Sequence, residues 1–328
     1  MRALVIRLSS LGDVILVSSV LSPLKRAGIE IDLLTYAPFG ELYRGDSRVS
    51  RVIEVKKERL KSFSAIKELA GELSGYSFAF DLHATLKTRL LTKFFPFPVY
   101  TYKKHSILRR LMIVFKPLKS RWLFVPELYA EAVRKAGIEV ENPRPEIPVS
   151  EKEKSKVRKY LPPSPFVVVA PGARWETKRY PLEKFLRVAL ILKKRGFSVV
   201  SIGGKEDNEL GEFLRERAGA LNLCGKLSLR ESLAVISSSV GVISNDSAVL
   251  HMGRAVKVPV LAIFGPTHPA FGFAPYKDEG IALTKNLPCS PCSIHGRTRC
   301  KYQKCFDLPP EEIVEKFFSL VESAEKRR

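Results

Sequence analysis

Five short stretches of this chain group acids, cations and hydroxyls at spacings that can do chemistry. The first is Arg7-Leu8-Ser9-Ser10-Leu11-Gly12-Asp13, a carboxylate six residues after an arginine. A carboxylate near a cation stays ionised and can take a proton from a hydroxyl. Asp13 would equally serve as the cap of a helix starting at Val14. The second runs from Pro171 to Pro181 and holds Gly172, Ala173, Arg174, Lys178 and Arg179. Gly172 lets the backbone approach a ligand closely. The three cations beside helix-terminal amides suit a phosphate. The third is Ser244-Asn245-Asp246-Ser247, with His251 one turn further on. Asn245 or Asp246 caps a helix there, or Asp246 holds sugar hydroxyls while Ser247 and the amides hold a phosphate. His251 faces the same pocket or fills the core. The fourth, Gly203-Gly204-Lys205-Glu206, offers Glu206 to a ribose or to a helix N-terminus. The fifth, Gly265-Pro266-Thr267, could line the same pocket.

Each of these stretches follows a short apolar run of the kind that forms a buried parallel strand. Strands are predicted at Ala3–Leu8, Ile31–Thr35, Val52–Val55 and Phe78–Leu82. Further strands are predicted at Phe166–Ala170, Ser198–Ile202, Val240–Ser244 and Pro259–Phe264. Helices are predicted at Val14–Arg26, Leu60–Leu73, Leu182–Lys194, Glu206–Arg217, Leu229–Ser237 and Ala248–Val256, with Pro181 opening the third. Alternation in both halves predicts an α/β protein of two doubly wound parallel sheets, whose strand ends bind ligands. The proline-rich, charged joint at Glu141–Pro165 divides the chain into domains 1–149 and 150–328, with a cleft expected between them. The predicted helix 310–322 could pack back on the first domain. Neither G-x-G-x-x-G after the first strand nor G-x-x-x-x-G-K-[ST] occurs, which argues against dinucleotide binding and P-loop chemistry.

The 328 residues suffice for two cores, and 45% apolar with 27% charged residues fits a globular protein. No apolar run is long enough to span a membrane, and the first residues read as a strand, not a signal peptide, so a cytoplasmic location is expected. The net charge of +21 calls for anionic partners: a membrane surface, a nucleic acid or phosphorylated substrates. A single glutamine, Gln303, among abundant Lys, Arg and Glu is a thermophile-like bias, which does not explain the excess of positive charge. Between Asp81 and Glu127 there is no acid, but ten Lys and Arg interleave with Phe94, Phe95, Phe97, Tyr100, Tyr102, Phe115, Trp122 and Phe124. This composition is either a solvated basic face over core aromatics or a membrane interface. Single-stranded nucleic acid ranks low, because no recognised module surrounds the segment. Of five cysteines, Cys224 reads as a buried apolar residue. Cys289, Cys292, Cys300 and Cys305 leave a structural zinc site, disulfides and free thiols open.

The ordered set Arg7-x4-Gly12-Asp13, Pro171-Gly172-Ala173…Lys178-x2-Pro181, Asp246-x4-His251 and Gly265-Pro266-Thr267 resembles glycosyltransferase family 9, the ADP-heptose lipopolysaccharide heptosyltransferases. The Pro-Gly-Ala form resembles the heptosyltransferase II-like branch. Some members carry hydroxyl residues where Ala173 and Arg174 stand. The resemblance implies a GT-B fold, two Rossmann-like domains with acceptor bound by the first and nucleotide sugar by the second. It implies inverting transfer of heptose from ADP-heptose to the lipopolysaccharide inner core, with no cofactor or catalytic metal. Asp13 then matches the catalytic base and Lys178 the lysine that neutralises the donor diphosphate. Gly172, Ala173, Arg174, Glu206, Asp246, Ser247, His251, Gly265 and Thr267 match the donor side. Gly12, Lys87 and Arg89 fall on acceptor-side motifs. The implied partners are ADP-heptose, a phosphorylated Kdo-lipid A acceptor and the cytoplasmic face of the inner membrane. The alternatives are a GT-B transferase with another nucleotide sugar or acceptor, and a non-catalytic basic protein binding nucleic acid or membrane.

Overall fold

The computed structural model describes residues 1–297, 300 and 303–327. Its residues fall into two compact units, Met1–Lys104 with Val125–Pro148, and His105–Phe124 with Val149–Arg328. Residues 105–124, expected in the first domain, pack with the second unit. Met112 is fully buried there with Ala270 and Phe271.

In chain order the first unit opens with β1 (Arg2–Ile6), α1 (Leu11–Leu16), α2 (Ser18–Arg26), β2 (Glu30–Tyr36), β3 (Arg51–Val55) and α3 (Phe63–Glu72). It continues with β4 (Phe78–Asp81), α4 (Leu86–Thr92) and β5 (Val99–Thr101). Next comes α5 (Ser106–Val114), which belongs to the second unit, and then α6 (Val125–Arg134), which returns to the first. The second unit goes on through α7 (Glu151–Arg158), β6 (Phe166–Ala170), α8 (Leu182–Lys194), β7 (Ser198–Ser201), α9 (Asn208–Ala218) and β8 (Leu221–Asn222). It ends with α10 (Leu229–Ser237), β9 (Gly241–Asn245), α11 (Ala248–Ala255), β10 (Val260–Phe264), β11 (Gly280–Thr284) and α12 (Pro310–Glu325).

Both sheets are parallel throughout. The first has the order β3-β2-β1-β4-β5 and the second β11-β10-β9-β6-β7-β8. Helices cover both faces of such a sheet, so its strands are apolar on both sides. Val167, Val168 and Val169 of β6 are all fully buried, and each such side chain contributes about 1.5–3 kcal/mol by leaving water. In each sheet the chain reverses its direction of winding once. The reversal lies between β1 and β4 in the first sheet and between β6 and β9 in the second. The loops leaving two adjacent strands there diverge and open a crevice at their C-terminal ends. Arg7–Asp13 and Asp81–Lys87 leave one such point; Pro171–Pro181 and Asp246–His251 leave the other.

Three local differences from the sequence reading have physical causes. The helix expected from Val14 begins at Leu11, because Ser10 and Asp13 form a reciprocal capping box. Pro181 is extended (φ −52°, ψ 133°) and flanks α8, which starts at Leu182. The helix expected over 310–322 extends to Glu325, and its buried face, Ile313, Val314, Phe317 and Val321, belongs to the core of the second unit. That apolar stripe is completed against α8 and the sheet, so the second unit is where it is buried.

Candidate active site

In the first unit, Asp13 sits in the opening turn of α1 with both carboxylate oxygens engaged. Oδ1 lies 2.7 Å from Arg7 Nη2. Oδ2 accepts from the Ser10 hydroxyl at 2.7 Å and the Ser10 N–H at 3.2 Å. The Asp13 side chain is 16% exposed, so a fixed carboxylate still reaches solvent. Arg7 is itself buried and donates to the Leu82 carbonyl at 2.5 Å, and its guanidinium lies 5.7 Å from the centre of the Tyr129 ring. Burial opposes the Arg7 charge, but Asp13, Tyr129 and Tyr102 outweigh it and hold its pKa above the ordinary value. Capping the helix and presenting a carboxylate are therefore compatible roles for the same side chain.

The second loop of this crevice brings His83. It follows β4, where the buried Asp81 carboxylate accepts from the N–H groups of His83 at 3.0 Å and Ala84 at 2.8 Å. Burial, then the charges of Arg7 and Lys104, push the His83 pKa down to about 3. The imidazole is neutral at ordinary pH, and its Nδ1 is buried with no hydrogen-bond partner among the described residues. Thr85 caps α4, and Lys87 and Arg89 project from that helix as exposed cations. Gly12 is buried within α1.

In the second unit, Lys178 Nζ lies 2.6 Å from Asp246 Oδ2, and the Thr267 hydroxyl donates to the same oxygen at 2.8 Å. Burial alone would raise the Asp246 pKa; the charge and hydrogen bond of Lys178, with Thr267 and His251, overcome it and hold the carboxyl below its ordinary value. Three sequence-separated stretches thus meet at one ion pair. Ser247, next to it, has a buried hydroxyl with no partner among the described residues and flanks the first amides of α11. His251 is buried near the Arg254 guanidinium (Nδ1 to Nη1 3.4 Å) and the Phe273 ring, so it contributes to Asp246 electrostatically from a core position.

Asn245, which the sequence offered only as a cap, has another job. Its amide donates to the Pro171 carbonyl at 2.8 Å, and its carbonyl accepts from the Tyr180 N–H at 2.9 Å. It ties both ends of the Pro171–Pro181 loop to β9. An asparagine immediately before Asp246 at a strand end was the available signal.

Gly172 is required by a neighbour on this chain. A Cβ there would lie 2.2 Å from the Asp207 carboxyl carbon. Asp207 also accepts from the Gly204 N–H at 3.0 Å, and burial raises its pKa. Glu206, beside it, is exposed. Ala173 is buried, and its carbonyl accepts from Arg179 Nε at 3.0 Å. Arg174 is exposed and lies over the Trp175 ring, which Arg297 also approaches. Gly265 admits Phe306, whose ring occupies the space of a Cβ.

The cysteine-bearing segment backs these loops. Cys292 and Ser293 donate their N–H groups to the Pro266 carbonyl at 3.0 and 3.2 Å, and the Thr177 hydroxyl donates to the Gly296 carbonyl. All five cysteines are free thiols. Burial, then the neighbouring thiols, raise the pKa of Cys292, and Cys305 is pushed up to about 11. Among the described residues, no three His, Cys, Asp or Glu side chains are arranged to hold a metal.

Comparison with known proteins bears on the whole assembly. Residues 65–303 match the family described as glycosyltransferase family 9 (heptosyltransferase). Lipopolysaccharide heptosyltransferase 1 of Pseudomonas aeruginosa is 28% identical over 95% of this chain and 92% of its own length. Lipooligosaccharide heptosyltransferase 2 of Haemophilus influenzae is 32% identical over 48% of this chain and 47% of its own length. Among solved structures, a glycosyl transferase family 9 protein from Veillonella parvula superposes with a TM-score of 0.79 at 21% identity, covering 98% of this chain and 97% of that one. The ADP-heptose heptosyltransferase II of E. coli gives 0.74 at 22%, covering 99% and 100%. The two parallel-sheet α/β domains are those of the GT-B fold. The chain belongs to glycosyltransferase family 9 and is a glycosyltransferase.

Proposed function

We propose that this enzyme transfers heptose, with inversion, from ADP-L-glycero-D-manno-heptose to the lipopolysaccharide inner core. The acceptor is Kdo-lipid A or its first heptose, at the cytoplasmic face of the membrane. Relatives named as lipopolysaccharide heptosyltransferases support the sugar and the acceptor class, and a heptosyltransferase of similar fold was solved with ADP.

The observation that carries the reading is Asp13, an ionised-partner carboxylate held by Arg7 and Ser10 at the end of β1. Asp13 takes the proton of an acceptor hydroxyl as that oxygen forms its bond to the anomeric carbon. The bond from that carbon to the diphosphate breaks, and ADP leaves with the electron pair. Charge on the departing diphosphate is met by Lys178, already oriented by Asp246, and by the amides and Ser247 hydroxyl at the start of α11. This chemistry uses no metal. Gly172, Ala173 and Arg174 line the donor, Glu206 reaches the adenosine, and Gly265 and Thr267 shape the same pocket. Gly12, Lys87 and Arg89 serve the acceptor.

Release of ADP tests the reading. It should require both ADP-heptose and Kdo-lipid A or a heptose-bearing derivative. Faster turnover of a UDP- or GDP-sugar, or none with either acceptor, would replace it.

A further inference from the structure

Ten large apolar side chains stand exposed among the described residues, and five of them fall within residues 107–122. They are Ile107, Leu111, Val114, Phe115 and Trp122, at 75%, 47%, 84%, 58% and 47% exposure. The first four recur at helical spacing (i, i+4, i+7, i+8) and form one stripe on α5 and its end. The neighbouring face is already satisfied: Met112 is buried, and Leu108 and Ile113, with Leu118 of the following turn, pack with it against Ala270, Phe271 and Phe273. The helix therefore has two apolar faces, and among the described residues only one of them has a partner.

The surrounding charge identifies the missing partner. Residues 105–124 carry Arg109, Arg110, Lys116, Lys119 and Arg121 and no acid. Arg110 and Arg121 are exposed. Lys116 and Lys119 anchor the following turn, donating to the Pro291 carbonyl and to Asn286 Oδ1, so the segment is a docked element and not a loose tail. Most aromatics of the wider basic region are spent elsewhere: Phe94, Phe95 and Phe97 pack on the first core, and Phe124 stacks on Tyr276 at 4.5 Å. Phe115 and Trp122 are the ones left outside. An apolar stripe in a segment that also carries exposed cations and an exposed amphipathic indole matches a bilayer interface with anionic headgroups, where such a helix lies in the plane with its apolar side in the acyl boundary. A nucleic acid would use the cations but leave Ile107 and Val114 in water.

We infer that α5 and the turn after it are the membrane-docking element of this enzyme. Ile107, Leu111, Val114 and Phe115 enter the acyl region, and Arg110 and Arg121 meet acidic lipid headgroups. This rests on the reading of a lipid-linked acceptor, which it deepens by naming the surface and its partner.

The test is flotation of the full-length protein with vesicles of phosphatidylglycerol in phosphatidylcholine, against pure phosphatidylcholine, with Trp122 emission followed in parallel. Binding should require the anionic lipid, weaken with salt and shift Trp122 emission to the blue, a shift lost in Trp122→Phe. Ile107→Ser with Val114→Ser should lower partitioning about tenfold or more, as should Arg110→Glu with Arg121→Glu. Leu190→Ser, an exposed apolar site elsewhere, should change nothing. Transfer to an acyl-free core oligosaccharide should be unchanged in Ile107→Ser/Val114→Ser, so loss of that transfer in the wild type would sink the proposed function and leave the docking result standing. Wild-type protein that ignores anionic vesicles, a double variant that binds like wild type, or tighter binding to a single-stranded oligonucleotide than to vesicles would each overturn the inference.

Discussion

Arg7 and Asp13 are joined at 2.7 Å across the turn from β1 into α1. The arginine is buried and faces Leu82, Tyr102 and Tyr129, so its position is set by three other parts of the first unit. The carboxylate is thereby fixed by the fold and not by its own flexible chain. Arg7→Met should leave Asp13 without its cation. We expect a loss of about 2 kcal/mol by urea unfolding, less than for a fully buried pair because Asp13 reaches water. Transfer should fall by more than the population of folded enzyme does. Equal losses in activity and folded fraction would assign Arg7 to stability alone.

Lys178 and Asp246 form the matching pair in the second unit. Lys178→Met should lower kcat about 10²–10³-fold, the usual cost of removing one group that stabilises developing charge. Lys178→Arg should restore part of it. Single-turnover rates at saturating donor separate this from binding; an effect confined to KM would mean that the lysine holds the ground-state diphosphate only.

Gly172 and Asp207 make a packing prediction. Gly172→Ala places a methyl 2.2 Å from the Asp207 carboxyl carbon, and overpacking of this kind costs about 1–3 kcal/mol. Truncating the neighbour in Gly172→Ala/Asp207→Ala should recover part of that loss. Additive losses in the double-mutant cycle would show that the two positions do not touch.

His83 gives a pH dependence with a definite sign. Its folded pKa, about 3, lies below the ordinary 6.5. Below pH 6.5 the unfolded chain binds a proton that the folded chain refuses, so stability is fully present above that pH and is lost as pH falls toward 3. From pH 6.5 to 5 the loss from this group is about 1.5 kcal/mol. His268, lowered to about 4 chiefly by burial, acts in the same direction. Urea unfolding at the two pH values should show His83→Gln with a shallower slope than wild type; an unchanged slope would remove His83 as its source.

The sheets were legible in the sequence because apolar β-branched runs such as Phe166–Ala170 coincide with the strand itself. The short edge strands β5, β8 and β11 were not, since two to five residues with one open side carry little pattern. The site was legible where a residue type announces its chemistry, as with Asp13, Lys178 and Asp246. It was not where a residue acts by position: Asn245, Asp207 and His83 hold loops or face charges brought in from distant segments. The basic segment was read correctly as cationic and aromatic. Which aromatics stay outside was a matter of packing, settled by the docking of Met112 on Ala270 and Phe271.

The account stands most directly on Asp13 as the base of an inverting heptosyl transfer. The decisive measurement is a single-turnover assay with ADP-heptose and Kdo-lipid A, comparing wild type with Asp13→Asn. Both proteins are first shown to unfold cooperatively and to bind ADP, and the product linkage is read by mass spectrometry and NMR. The account predicts one added heptose with anomeric configuration opposite to that of the donor. It predicts that Asp13→Asn, folded and still binding ADP, is slower by about 10²-fold or more. Retained configuration, or near-normal turnover in Asp13→Asn, would contradict it.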